Sequence, residues 1–143
     1  MDKPLEYSEM APVVVFAYKR ADNLERLLRS IEKNQDTEKM SLYLFVDIPD
    51  KKNKRDLKYN KEVLEFVEDY KDRNTKFNQV IVEVAKRHKG LANAIISGVT
   101  KVINERGKVI VLEDDLEVSG YFLDYMQRGL NFYENDEKVN SMA

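Results

Sequence analysis

The stretch Lys108-Val-Ile-Val-Leu-Glu-Asp-Asp115 constrains this chain more than any other, because an apolar β-branched run gives way at once to three carboxylates. Runs of this length bounded by turn signals, here Gly107 before and Leu116 to Gly120 after, read as interior strands of a sheet covered on both faces. The acids then lie at the sheet's carboxyl edge, which is where open α/β sheets bind ligands. Like charges this close repel unless a cation joins them, and hard divalent ions take oxygen ligands. A metal-bound phosphate is the guest this stretch predicts. With 26 acidic residues among 143, chance alone yields about one acidic triplet, so the placement behind a strand carries the signal and the letters do not.

Three further apolar runs alternate with helical periodicity. Pro12-Val-Val-Val-Phe-Ala-Tyr18 passes through Lys19-Arg20-Ala21 to Asp22, a predicted helix N-cap with Glu25 three residues on. Leu24, Leu27, Leu28 and Ile31 then repeat at the spacing of one helix face. Ser41 to Val46 reads as the second strand and stops at Asp47-Ile-Pro-Asp50, where proline cannot continue a ladder. The charged segment Lys51 to Asn60 reads as an exposed loop entering a helix that carries Val63, Phe66, Val67 and Tyr70. Gln79 to Ala85 is the third strand, and Leu91, Ala94, Ile95, Gly98, Val99 and Val102 line a third helix.

Beyond the acids, Ser119 is a predicted N-cap for a fourth helix with Phe122, Met126, Leu130 and Tyr133, and Val139 to Ala143 begins another strand. The order is βαβαβαβα. Such alternation with short connections implies an α/β fold: a doubly wound, mainly parallel, Rossmann-like sheet with right-handed crossovers.

Residues 1–143 fit one domain, with no tract rich in Pro, Gly or Ser. Lys+Arg 24 against Asp+Glu 26 leaves a net charge of -2, which provides no electrostatic footprint for nucleic acid. The chain has no cysteine, which excludes disulfides, thiolate metal sites and cysteine nucleophiles. No run is long enough for a membrane span and the first residues lack the apolar core of a signal peptide, so a cytoplasmic protein is expected.

In this architecture the carboxyl ends of strands one, two and four bring Tyr18 to Arg20, Asp47, and Glu113 to Asp115 to one rim. If strand four lies beside strand one, Lys19 and Arg20 face the acids across a crevice suited to a nucleotide diphosphate with its metal. Arg20 offers a planar fork for phosphate, and Asp47 a carboxylate that accepts hydrogen bonds from a base or ribose. An extended backbone through the acids sends Glu113 and Asp115 to one side and Asp114 to the other. His88 lacks a partner at ligand spacing and reads, with Lys89, as a solvated loop residue. The glycine fingerprints of dinucleotide and P-loop sites are absent, as is the serine-hydrolase elbow.

Pro12 to Arg20 with Asn23-Leu24, Gly90-Leu-Ala-Asn-Ala-Ile-Ile-Ser-Gly-Val99, and Val109 to Ser119 with Phe122 and Tyr125-Met126 together resemble a known family. It is that of the GT-A-fold glycosyltransferases, which use nucleotide-sugar donors and a divalent metal held by an Asp-x-Asp-type motif. The third segment is similar to the Glu-Asp-Asp motif of the N-acetylglucosaminyltransferase I type and of bacterial family 2-like sugar transferases. The resemblance implies Asp115 as the direct metal ligand (Mn2+ or Mg2+), with Glu113 and Asp114 serving the ribose or metal-bound water. It further implies Asp47 on the uracil, Arg20 at the phosphates beside Tyr18, and base or ribose contacts around Arg87 to Asn93, with Asn93 the named candidate.

The implied partners are a UDP-linked sugar donor and a glycan or other hydroxyl acceptor, in an inverting transfer. The resemblance covers the family's donor-binding half, so the chain is expected to be a truncated part whose catalytic base lies elsewhere. Two rivals remain. One is a sugar-nucleotide nucleotidyltransferase, which needs a Gly-rich loop where Ala17 to Ala21 has none. The other is a non-catalytic interaction domain with the same fold.

Overall fold

Four short β-branched or aromatic segments form strands because their side chains pack on both pleated faces of a sheet. In the computed structural model, which describes residues 10–134, these are β1 (Val13–Ala17), β2 (Ser41–Val46), β3 (Gln79–Val84) and β4 (Ile110–Glu113). All pairings are parallel, in the order β3-β2-β1-β4. Val13 pairs with Leu42 on one side and Ile110 on the other, and Phe16 pairs with Phe45 and Glu113. The doubly wound, parallel expectation holds, including the adjacency of strands one and four. The strand order reverses between β1 and β4, which makes that gap the topological switch point.

The helices are α1 (Ala21–Glu32), α2 (Lys54–Arg73), α3 (Leu91–Arg106) and α4 (Phe122–Glu134), with a 3-10 turn at Thr37–Lys39. Leu24, Leu27, Leu28 and Ile31 of α1 pack with Val63 and Val67 of α2 and Leu123 of α4 over one face of the sheet. Burial of each α1 side chain contributes about 2 kcal/mol. α3 covers the opposite face, where Val102 joins Val14, Phe16 and Tyr43. Gly98 permits this approach, since a Cβ there would lie 2.8 Å from the Phe16 ring. Tyr70 of α2 donates to Glu32 of α1, and burial pushes its hydroxyl pKa up.

Four expectations change. Asp22 is not the N-cap of α1: the helix begins two residues earlier than that cap would set it, at Ala21, with Arg20 at the cap and Asp22 in the first turn. The charged segment after Asp50 is not a loop throughout, because α2 starts at Lys54 behind an Asn53 cap that accepts from the Asp56 amide. β4 is not buried on both faces: Val111 is 38% exposed, as befits the last strand of the described sheet. Finally, Ser119 is not the N-cap of the fourth helix: α4 begins only at Phe122, after the segment behind the acids has descended along α1. The Ser30 hydroxyl accepts from the Val118 amide, and Asn34, just past the end of α1, binds the Ser119 carbonyl and the Leu123 amide. The strand expected at Val139 to Ala143 lies outside the described residues.

Candidate donor-binding site

The carboxyl ends of β1, β2 and β4 and the N-terminus of α3 enclose a cavity of about 360 Å³. Tyr18, Lys19 and Arg20 line it from β1, Asp47 from β2, and Glu113, Asp114 and Asp115 from β4. Phe16, Phe45, Leu91 and Ala94 supply an apolar floor toward α3, and His88 and Gly90 close the side between them. The rings of Phe16 and Phe45 stack with centroids 5.3 Å apart.

β4 ends at Glu113, and a turn follows in which the Leu116 amide donates to the Glu113 carbonyl at 3.2 Å. The extended alternation expected through Asp115 therefore stops at its first acid. Asp114 is half-buried and Asp115 exposed. Burial, and then the neighbouring Asp115 charge, raise the Asp114 carboxyl to about 6, against the opposing pull of Arg20. Glu113 adds a smaller upward push, so both neighbouring carboxylates of the triplet act on its middle member in the same direction as burial.

Asp47 is 8% exposed and works as a clasp. Its two carboxylate oxygens accept from the Lys89 amide at 3.0 Å and the Gly90 amide at 2.9 Å, which ties the end of β2 to the start of α3. His88 sits beside it, with Nδ1 2.7 Å from the Ile48 carbonyl and 3.3 Å from an Asp47 oxygen. Because a carbonyl only accepts, Nδ1 carries the proton, which leaves Nε2 as the other polar atom of the ring.

α1 begins without a side-chain cap on its first-turn amides, although Asp22 lies in that turn. Open amides at a helix start attract anions. Lys19 does not face the acids as expected. It turns to Asp56 of α2 at 3.3 Å, beside the Tyr18 hydroxyl, which donates to Asp56 at 2.9 Å. Burial, then the bond to Asp56, pushes the Tyr18 hydroxyl up to about 12. Arg20 is left as the cation whose charge reaches Asp114.

Among the described residues, no three carboxylate or histidine side chains converge as a ready cation cage. Small divalent ions that accompany nucleotides are commonly held by one or two carboxylates, with phosphate oxygens and water completing the shell. Oxygen donors at Asp115 and Asp114 fit that kind of ion and would not hold it alone.

The GNT-I family model matches residues 3–143, nearly the whole sequence. The chain belongs to the GNT-I family. This agrees with the likeness to GT-A glycosyltransferases carried by the Glu113-Asp114-Asp115 segment. Two solved structures share the fold: S. aureus TarS, with 16% identity and a TM-score of 0.61, and TarS 1-349, with 16% identity and a TM-score of 0.57. They align with 89% and 87% of this chain, which spans only 20% and 33% of theirs. No curated protein matches the sequence.

Within this GNT-I family chain, Tyr18, Arg20, Asp47, Glu113, Asp114 and Asp115 come together around one cavity. Asn93 does not: it lies exposed on the first turn of α3, donating to the Lys89 carbonyl. His88, read from sequence as solvated, lines the cavity and is bonded at Nδ1. Asp56 and Asn60 fall within the segment read from sequence as an exposed loop, the most charged stretch of the chain, yet both are buried. The one available signal was their i, i+4 spacing, which puts both on the same helix face.

Proposed function

We propose that this chain is the donor-binding part of a glycosyltransferase that takes a nucleotide sugar, uridine-linked, with a divalent cation, and delivers the sugar to a hydroxyl acceptor. The observation that carries the proposal is the cavity at the β1–β4 switch point, which Arg20, at the cap position of α1, lines together with three carboxylates. A diphosphate bridged to a cation calls for both signs of charge on one rim. The Arg20 fork suits phosphate oxygens, while Asp115, aided by Asp114 or Glu113, suits Mn2+ or Mg2+. When bound, such a cation neutralises charge that develops on the departing diphosphate.

The apolar floor of Phe16, Phe45 and Leu91 accommodates the flat faces of the donor, and Asp47 and His88 offer polar atoms for base and ribose. Asn93 remains a candidate only if the ligand extends past the mouth of the cavity along α3. In the transfer, the bond from the anomeric carbon to the phosphate oxygen breaks and one from that carbon to the acceptor oxygen forms. The hydroxyl proton passes to a general base.

Isothermal titration of UDP into the protein, once with Mn2+ and once with a chelator, tests this reading. Binding heat that requires Mn2+ is expected. Equal heats in the two buffers, or none in either, would reject it.

A further inference from the structure

We infer that Asp56 and Asn60 of α2 are positioning residues for the donor site: they fix the phosphate-side loop and the base-side strand end relative to each other without touching the ligand. The inference rests on the donor-binding reading above and adds to it two residues outside the cavity lining.

β1 and β2 run in register up to Ala17 and Val46, and the last bond between them joins the Asp47 amide to the Ala17 carbonyl at 3.1 Å. Past that point the strands part, one toward α1 and the other toward Pro49, and the carbonyls of Tyr18 and Asp47 leave the ladder. Asn60 takes both. Its single Nδ2 group donates to the Tyr18 carbonyl at 2.7 Å and to the Asp47 carbonyl at 2.8 Å. Both protons of the amide are thereby used, and Asn60 is 3% exposed.

One turn earlier on the same helix, Asp56 receives the Tyr18 hydroxyl, the Lys19 ammonium and the Asn53 side-chain amide. The β1–α1 loop is thus held by backbone and by side chain from a single helix face. Arg20 is the next residue in that loop, and the Asp47 carboxylate is the clasp on Lys89 and Gly90. A shift of α2 by a fraction of an ångström would move both halves of the site. Supporting residues of this kind commonly change affinity by tenfold or more.

The two residues differ in reach, and the difference is measurable. Of the two sides of the site, Asp56 bonds to the phosphate-side loop, whereas Asn60 bonds to both. Competitive titrations of UDP and of inorganic pyrophosphate, in Mn2+ and well below each protein's melting temperature, should compare the parent with Asp56→Asn and Asn60→Ala. Asp56→Asn is expected to weaken both ligands by a similar factor. Asn60→Ala is expected to weaken UDP about tenfold and pyrophosphate less. A purely structural role would lower the melting temperature and leave both affinities, and their ratio, in place.

Folded variants that bind both ligands as the parent does would overturn the inference while leaving the donor site standing. Should Asn60→Ala fail to fold, Asp56→Asn decides: parental affinity overturns the inference, and a matched loss for both ligands supports it. A parent that binds neither ligand removes the donor-binding reading and this inference with it.

Discussion

Gln127 completes the first strand from a helix: its side-chain oxygen accepts from the Ala11 amide at 2.6 Å while its nitrogen donates to the Ala11 carbonyl at 2.7 Å. Both residues are buried, at 1% and 0% exposure, so an apolar replacement would strand two backbone groups away from water. Gln127→Leu is expected to lower stability by about 2 to 4 kcal/mol. Urea denaturation checks this. UDP affinity should be unchanged in the folded variant, because Ala11 lies at the amino edge of the sheet, opposite the cavity.

Gly98→Ala is expected to destabilise the protein by about 1 to 3 kcal/mol despite alanine's better helix propensity. The added Cβ would lie 2.8 Å and 2.9 Å from two Phe16 ring atoms and 3.4 Å from Phe45. The Phe16 ring cannot recede freely, since it stacks on Phe45. The ring also lines the cavity, so its displacement would alter the cavity wall. Thermal unfolding would show the loss, and UDP titration would show whether the displaced ring narrows the site.

The Asp56 carboxyl sets an acid limb on stability. Burial pushes it up, but the hydrogen bonds from Tyr18 and Lys19 and the charges of Lys19 and Arg55 outweigh that and hold it below the ordinary 3.8. A group depressed in the folded state stabilises above its unfolded value, and that stabilisation is lost as pH falls through the folded one. Urea midpoints of the parent are expected to fall as pH drops below about 4, and the part owed to Asp56 to vanish in Asp56→Asn. Acid limbs of equal steepness in the two proteins would contradict the assignment.

Much of this fold was legible because its signals are local and periodic. The apolar face of α1 and the β-branched run of β1 announce their burial in the spacing of Leu24, Leu27, Leu28 and Ile31 and of Val13, Val14 and Val15. Alternation of such segments then leaves few topologies, and the rim residues follow from strand ends. What stayed hidden depends on neighbours distant in sequence. Val111 reads as interior because a β-branched run looks the same on an edge strand. Asp56 and Asn60 read as solvated because their burial is created by two strand ends that converge only in the folded chain. His88 and Asp47 are 41 residues apart, and no spacing rule links them.

Removal of the Asp115 carboxylate tests the central claim most directly. The side chain is exposed at the rim, so Asp115→Ala is expected to keep the fold. Melting tests its stability alongside, where relief of repulsion on Asp114 favours an unchanged or slightly higher midpoint. Titration of UDP in Mn2+ into parent and variant then decides. Metal-dependent binding by the parent and its loss in Asp115→Ala are expected, whereas a variant that binds UDP with Mn2+ as tightly as the parent would contradict the metal-bridged donor site.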